Sequence, residues 1–351
     1  MKILVRGTNW IGDAVMAIPA MRRLRQSFPQ AEITLHTRSW AEGIFRDADF
    51  IDRILTFDKT SSKIKDVVRE SRALREKKFD IAVLLPNSFE SALVAKLAGI
   101  PKRFGYAKDG RSILLTSVIK VPAWKNERHE VFYYLNLVSA VENDQQTTRS
   151  NPDDTPALDL NVSDERRAAV REKLRGFSLD PAKRTIALGV GSTNSRAKRW
   201  PAERYAQLND RLQEELNANV ILVGGPDELD VSQEVFDGSQ RKPVVLTGQT
   251  DLAEAVAVLA EVDLLISNDM GLAHIAPAVG TKTLVIFGPT NPETTRPFSD
   301  DAIIIREGVD CSPCMLRDCP IDHRCMTRIS VDNVFYKARA LLAPVAESDK
   351  Y

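Results

Sequence analysis

The chain has 351 residues, and its 48 Lys and Arg balance its 48 Asp and Glu, for a formal net charge of zero with His neutral. That balance leaves no excess of cations to neutralise phosphates, so a nucleic-acid partner is not expected. Hydrophobic residues make up 43% of the chain, enough to bury a core and to exclude disorder as the main state. No run approaches the roughly 18 apolar residues of a membrane-spanning helix.

At about 150 residues per domain, the length points to two domains. The opening does not read as a signal peptide, because the apolar run Ile3-Leu4-Val5 is cut by Arg6 and Asp13 follows. The expectation is a cytoplasmic protein that begins with a strand over 2–5. From Asp13 onward Val15, Ile18, Met21, Leu24 and Phe28 recur at a helical period, with a bend at Pro19. Strands are expected near 33–35, 53–57 and 79–85, and helices over 63–77 and 89–98. A polar stretch over 143–156 reads as an interdomain linker, with a long surface loop inside one domain as the alternative. Beyond it, strands fit 185–190, 219–223, 244–247, 263–267 and 283–287, and helices fit 202–216, 229–236, 252–260, 271–279 and 331–342.

This alternation predicts an α/β protein of two Rossmann-like parallel-sheet domains. The expected division is an N-terminal domain over 1–155, a C-terminal domain over 156–330 and a closing helix and tail over 331–351. Ligands of such sheets bind beyond the carboxyl ends of the strands, and a cleft between two facing domains is the natural site.

The strand-end loops are therefore where chemistry is sought. The first, over 6–13, is glycine-rich but is neither G-x-G-x-x-G nor a P-loop. Its Asp13 suits a helix N-terminus, and it also suits a general base for a substrate hydroxyl. The second, over 189–201, joins Gly189 and Gly191 to Thr193, Asn194, Lys198 and Arg199 just before a helix. It reads as a phosphate site or as a solvated basic loop. In the third, over 222–228, Glu228 suits either ribose hydroxyls or a helix cap. The fourth, over 267–276, holds Asp269 as an expected N-cap, Gly271 in the first turn and His274 within the helix, where it is a core residue or a ligand contact. A fifth feature is the cluster Cys311, Cys314, Cys319 and Cys325 with His323 inside it. Its spacing admits a structural metal such as zinc, reduced thiols or disulfides.

Arg-Gly-Thr-Asn-Trp-Ile-Gly-Asp-Ala-Val at the start, Lys-Arg-Trp-Pro over 198–201 and Asn-Asp-Met-Gly-Leu-Ala-His over 268–274 resemble the ADP-heptose:lipopolysaccharide heptosyltransferases, glycosyltransferase family 9. The resemblance covers nearly the whole chain, and the Asn-Trp-Ile-Gly-Asp form is most similar to the members that add the second heptose. It implies a GT-B fold with two domains facing across a cleft, the first holding the acceptor and the second ADP-L-glycero-D-manno-heptose. The implied activity is inverting transfer of heptose to the inner core of lipopolysaccharide.

By the same resemblance, Asp13 matches the general base and Lys198 the lysine on the donor phosphates. Thr193 and Asn194 fall near the diphosphate, Glu228 at the adenosine ribose, and Asp269, Met270, Gly271 and His274 in the donor-binding turn. Met270 stands where Ser or Thr is often found, which leaves a backbone N–H there. Transfer is expected to need no cofactor, and the cysteines, present in part of the family, are expected to lie outside it. A phosphorylated glycolipid would meet basic residues such as Arg103, Lys108, Arg111 and His129, each equally able to be solvated surface. Its acyl chains would bring the protein into peripheral contact with the inner face of the inner membrane. Fold analogy leaves open another GT-B nucleotide-sugar transferase, an epimerase or a non-catalytic ADP-sugar-binding protein. The missing G-x-G-x-x-G counts against a dehydrogenase.

Overall fold

The structure, a computed structural model, describes residues 1–147 and 157–343. It contains two compact units, Met1–Asn161 with Glu293–Phe298, and Val162–Pro292 with Ser299–Tyr351. The boundary expected at 155/156 and the tail beyond 343 lie outside the described residues. Helix Val331–Leu342 is not a separate element: its Val334, Phe335, Ala338 and Leu342 are part of the second unit's core.

In the first unit, β1 (Lys2–Arg6), β2 (Glu32–Arg38), β3 (Arg53–Phe57), β4 (Ile81–Leu84), β5 (Lys102–Tyr106) and β6 (Ser117–Ile119) form one sheet in the order β3-β2-β1-β4-β5-β6. In the second, β7 (Thr185–Gly189), β8 (Asn219–Leu222), β9 (Val244–Val245), β10 (Leu264–Asn268), β11 (Lys282–Phe287) and β12 (Ala302–Arg306) run β12-β11-β10-β7-β8-β9. All pairings in both sheets are parallel. Counted from its own first strand, each sheet has the order 3-2-1-4-5-6, so strand order reverses between β1 and β4 in one and between β7 and β10 in the other. The central strands are covered on both faces, which explains why Ile3-Leu4-Val5 and Leu264-Leu265-Ile266 are unbroken apolar runs with at most 1% exposure.

The single bent helix expected from Asp13 to Phe28 is two helices, Ile11–Met16 and Ile18–Ser27, joined at Ala17. Pro19 stands in the first turn of the second, where its missing N–H leaves no ladder bond unmade. That helix is tied to helix Glu130–Asp144 by a buried bidentate pair. Arg23 Nε and Nη2 donate to the two Glu142 carboxylate oxygens at 2.9 and 2.8 Å, with both side chains sealed from solvent. Glu142→Ala would strand the buried guanidinium, and should lower the unfolding free energy by about 3–5 kcal/mol, read from urea denaturation.

Candidate active site

The loop 190–200 leaves β7 at the point where strand order reverses, and one side chain of the neighbouring strand holds both of its ends. Asn268, the last residue of β10, is fully buried. Its Nδ2 donates to the carbonyls of Val190 and Gly191 at 2.8 and 3.1 Å. Its Oδ1 accepts from the Trp200 N–H at 2.9 Å and from the Tyr205 hydroxyl at 3.1 Å. Sequence reasoning passed over Asn268, because nothing local shows that its partners are 63–78 residues away.

Within the loop, Thr193 and Asn194 are exposed, and Arg199 is drawn inward, donating to the Ser192 carbonyl at 3.2 Å. Lys198 ends the short 3-10 turn Arg196–Lys198, and its Nζ lies 2.7 Å from Asp269 Oδ2. The same oxygen accepts from the Thr290 hydroxyl at 2.6 Å. Asp269 is therefore not the expected N-cap. Met270 occupies that position in front of helix Gly271–Ala278, without a side-chain cap, and Asp269 is free of capping geometry to orient the lysine. His274 is buried within the helix.

Glu228 is buried at the end of the turn Pro226–Glu228. Its Oε2 accepts the Gly225 N–H at 3.0 Å, as a capping residue would, and its Oε1 faces the Thr193 hydroxyl at 3.4 Å. Burial raises its pKa above the ordinary carboxyl value. Two nearby glycines leave room for this carboxyl. A Cβ on Gly191 would stand 2.2 Å from Glu228 Cδ, and one on Gly224 2.6 Å from its Oε2. Gly189 packs against Ser267 and the Met270 sulfur.

In the first unit, Asp13 lies in helix Ile11–Met16, which follows β1 at that sheet's reversal point. The Tyr134 hydroxyl donates to its Oδ1 at 3.3 Å. Burial first, and then the charge of Asp13, hold the Tyr134 pKa well above its usual value, so the phenol stays a donor. Gly7 lets the preceding loop lie on β2: its N–H donates to the His36 carbonyl at 2.9 Å, and a Cβ there would be 2.8 Å from Thr37 Oγ1.

The four basic residues considered for an acceptor separate clearly. Lys108 is exposed. Arg103 is half-buried and donates to the Leu114 carbonyl at 2.8 Å. Arg111 is neither solvated surface nor open to a phosphate: it is fully buried and donates to the Tyr106 and Pro86 carbonyls and to Asn87. His129 is buried too, its Nδ1 accepting from the Val131 N–H at 3.3 Å and its Nε2 donating to the Arg296 carbonyl at 2.7 Å. Those partners require the neutral ring, and burial lowers its pKa further. A neutral imidazole with both nitrogens engaged offers no cation to an anion.

Cys311 and Cys314 are exposed, Cys319 is half-buried and Cys325 is buried, all as free thiols. Among the described residues no group of three or more His, Cys, Asp or Glu is arranged to hold a metal ion. The thiols as they stand do not form the tetrahedral set considered from their spacing. Burial, followed by the neighbouring cysteines, raises the Cys325 pKa. No helix of the described residues is long and apolar enough to cross a membrane.

Each unit is a parallel sheet of Rossmann order with polar groups at its reversal point, where α/β folds of this class bind ligands, and comparison with known proteins narrows the class. Residues 67–324 match the family model for glycosyltransferase family 9 (heptosyltransferase). Lipopolysaccharide heptosyltransferase 2 of Escherichia coli strain K12 is 30% identical over 316 residues, covering 87% of this chain and 88% of that protein. Lipooligosaccharide heptosyltransferase 2 of Haemophilus ducreyi is 31% identical over 320 residues, with the same coverage of 87% and 88%. The structure of the E. coli ADP-heptose lps heptosyltransferase II matches with a TM-score of 0.83 at 28% identity, over 97% of this chain and 98% of that one. A family 9 glycosyltransferase from Veillonella parvula has the same fold, with a TM-score of 0.84 at 24% identity over 97% of each chain. The chain belongs to glycosyltransferase family 9, the heptosyltransferases, and is a glycosyltransferase.

The fit of Glu228 between two glycines is open to a direct check. Gly191→Ala should destabilise the protein by about 1–3 kcal/mol through overpacking. In a Glu228→Ala background the added methyl has room, and its cost should largely vanish. A double-mutant cycle read by thermal unfolding measures this coupling, and additive costs would count against the packing described.

Proposed function

We propose that this enzyme transfers L-glycero-D-manno-heptose from ADP-heptose to the inner core of lipopolysaccharide, adding the second heptose with inversion at the anomeric carbon. The observation that carries the reading is Lys198, held by Asp269 in a loop that begins and ends at the reversal point of the second sheet, in a chain of this family.

A sugar hydroxyl is a weak nucleophile at neutral pH. In this reading Asp13 accepts its proton as the acceptor oxygen bonds to the anomeric carbon and the bond from that carbon to the diphosphate oxygen breaks. Tyr134, donating to one Asp13 oxygen, turns the carboxylate without taking its proton-accepting role. ADP leaves with added negative charge. Lys198 opposes that charge, the exposed Thr193 and Asn194 stand beside the diphosphate, and the first turn of helix Gly271–Ala278 adds backbone N–H groups. The donor-binding turn comprises Asp269, Met270, Gly271 and His274, and Glu228 accepts from the ribose hydroxyls. Transfer in this scheme requires no cofactor. The acceptor meets the first unit, with Lys108 the exposed cation among those considered, and the glycolipid brings this cytoplasmic enzyme into peripheral contact with the inner membrane.

Asp13→Asn keeps the shape of the site and removes the base. Turnover should fall by about 10²–10⁴-fold while ADP-heptose affinity stays near that of the wild type, as measured by product formation and calorimetry. Unchanged turnover would remove Asp13 from the chemistry.

The raised pKa of Glu228 gives a second test. The ionised carboxylate is the acceptor for ribose, so ADP affinity should weaken as the pH falls through that pKa. Glu228→Gln cannot titrate there. Its ADP affinity should lack that component of the pH dependence, and identical pH profiles in the two proteins would place the ribose elsewhere.

A further inference from the structure

The cysteine-bearing segment 311–325 has no part in the transfer scheme, yet it lies against both supports of the Lys198–Asp269 pair. On one side it meets Ala197, the residue before Lys198. The Ala197 N–H donates to the Arg317 carbonyl at 2.9 Å, and the Ala197 carbonyl accepts from His323 Nε2 at 2.6 Å. The Ser195 hydroxyl also donates to the Arg317 carbonyl, at 3.2 Å. On the other side it meets Pro289, the residue before the Thr290 that holds Asp269. The N–H groups of Cys314 and Met315 both donate to the Pro289 carbonyl, at 3.0 and 2.9 Å. One segment therefore reaches to within a single peptide of the lysine and within a single peptide of the threonine that orients its partner.

His323 is tied to the core by the helix that follows it. It precedes the short helix Arg324–Thr327, and its own carbonyl accepts from the N–H groups of Met326 and Thr327 at 2.9 and 3.0 Å. Cys325 and Met326 of that helix are buried in the second unit's core. With φ at 56° it occupies the left-handed region, which is uncommon for a residue bearing a side chain. Its partner is a carbonyl, so Nε2 carries the proton and donates.

We propose that the segment 311–325 is a brace that sets the Lys198–Asp269 pair for donor binding, with His323 as the positioning residue on the lysine side. The proposal rests on the reading of Lys198 as the donor-phosphate residue. It gives the cysteine segment a role in donor affinity while leaving the chemical step to other groups.

The test compares wild type, His323→Ala and His323→Gln in the full-length protein. The readouts are hydrogen exchange of peptides spanning 193–199, KM for ADP-heptose, KM for the acceptor and kcat. His323→Ala should speed exchange across 193–199 and raise KM for ADP-heptose about fivefold, the worth of one hydrogen bond, with little change in kcat or in KM for the acceptor. A glutamine amide carries an N–H in place of Nε2–H, so His323→Gln should recover most of both effects. Wild-type exchange and KM in His323→Ala, or a glutamine variant no better than alanine, would overturn the brace. If His323→Ala does not fold, Ser195→Ala removes another contact of the brace and should shift the same two readouts in the same direction; no shift there would equally overturn it. A wild-type protein that neither binds nor uses ADP-heptose would refute the ADP-heptose reading of the donor, while the exchange comparison still decides on the brace.

Discussion

The loop that carries Lys198 depends on one buried amide. Asn268 makes four hydrogen bonds from a position with no solvent access, two to the start of the loop 190–200 and one to its end, with Tyr205 as the fourth. In a medium of low polarity such a group holds its partners firmly only because every one of its bonds is made. Replacement by an apolar residue would orphan two carbonyls and an N–H at once. Between those anchored ends the segment 311–325 holds the loop at Ser195 and Ala197, and the placement of Lys198 follows from both sets of contacts.

The two units use the same plan with different chemistry. Each puts its polar groups where strand order reverses, the place at which two adjacent crossover connections leave on opposite sides and open a crevice. In the first unit that position carries a carboxylate, Asp13, turned by a phenol that burial keeps protonated. In the second it carries a cation, Lys198, turned by a carboxylate that a threonine fixes in its turn. In both cases the group assigned to chemistry is short of full burial, and the group that orients it is buried. That arrangement lets the orienting contact persist while the oriented group stays partly open to solvent.

Much of this was legible in the sequence wherever local pattern and tertiary burial coincide. The central strands of the second sheet are continuous apolar runs, and the helix Lys63–Lys77 begins and ends where its charged, periodic pattern does. β5, β6 and β12 went unseen. They are short or half-buried, and Lys102-Arg103-Phe104-Gly105-Tyr106 alternates poorly. Helix Asp164–Arg175 buries only Val170, so it has no apolar stripe to find, whereas helix Glu130–Asp144 is so rich in aromatic and β-branched residues that its period is blurred. Asp13, Lys198, Glu228 and Asp269 could be located at strand ends from sequence, because glycine and polar residues gather there. The burial of Arg111 and His129, and the reach of Asn268 and of the segment 311–325, depend on contacts between distant parts of the chain. No local signal carries them.

The most direct measurement of the central claim is mass spectrometry of the products formed from ADP-heptose and a panel of truncated core acceptors. The account predicts that an acceptor already bearing one heptose gains a single heptosyl unit, with release of an equal amount of ADP. ADP-heptose that is bound or left intact while no acceptor gains mass would contradict it.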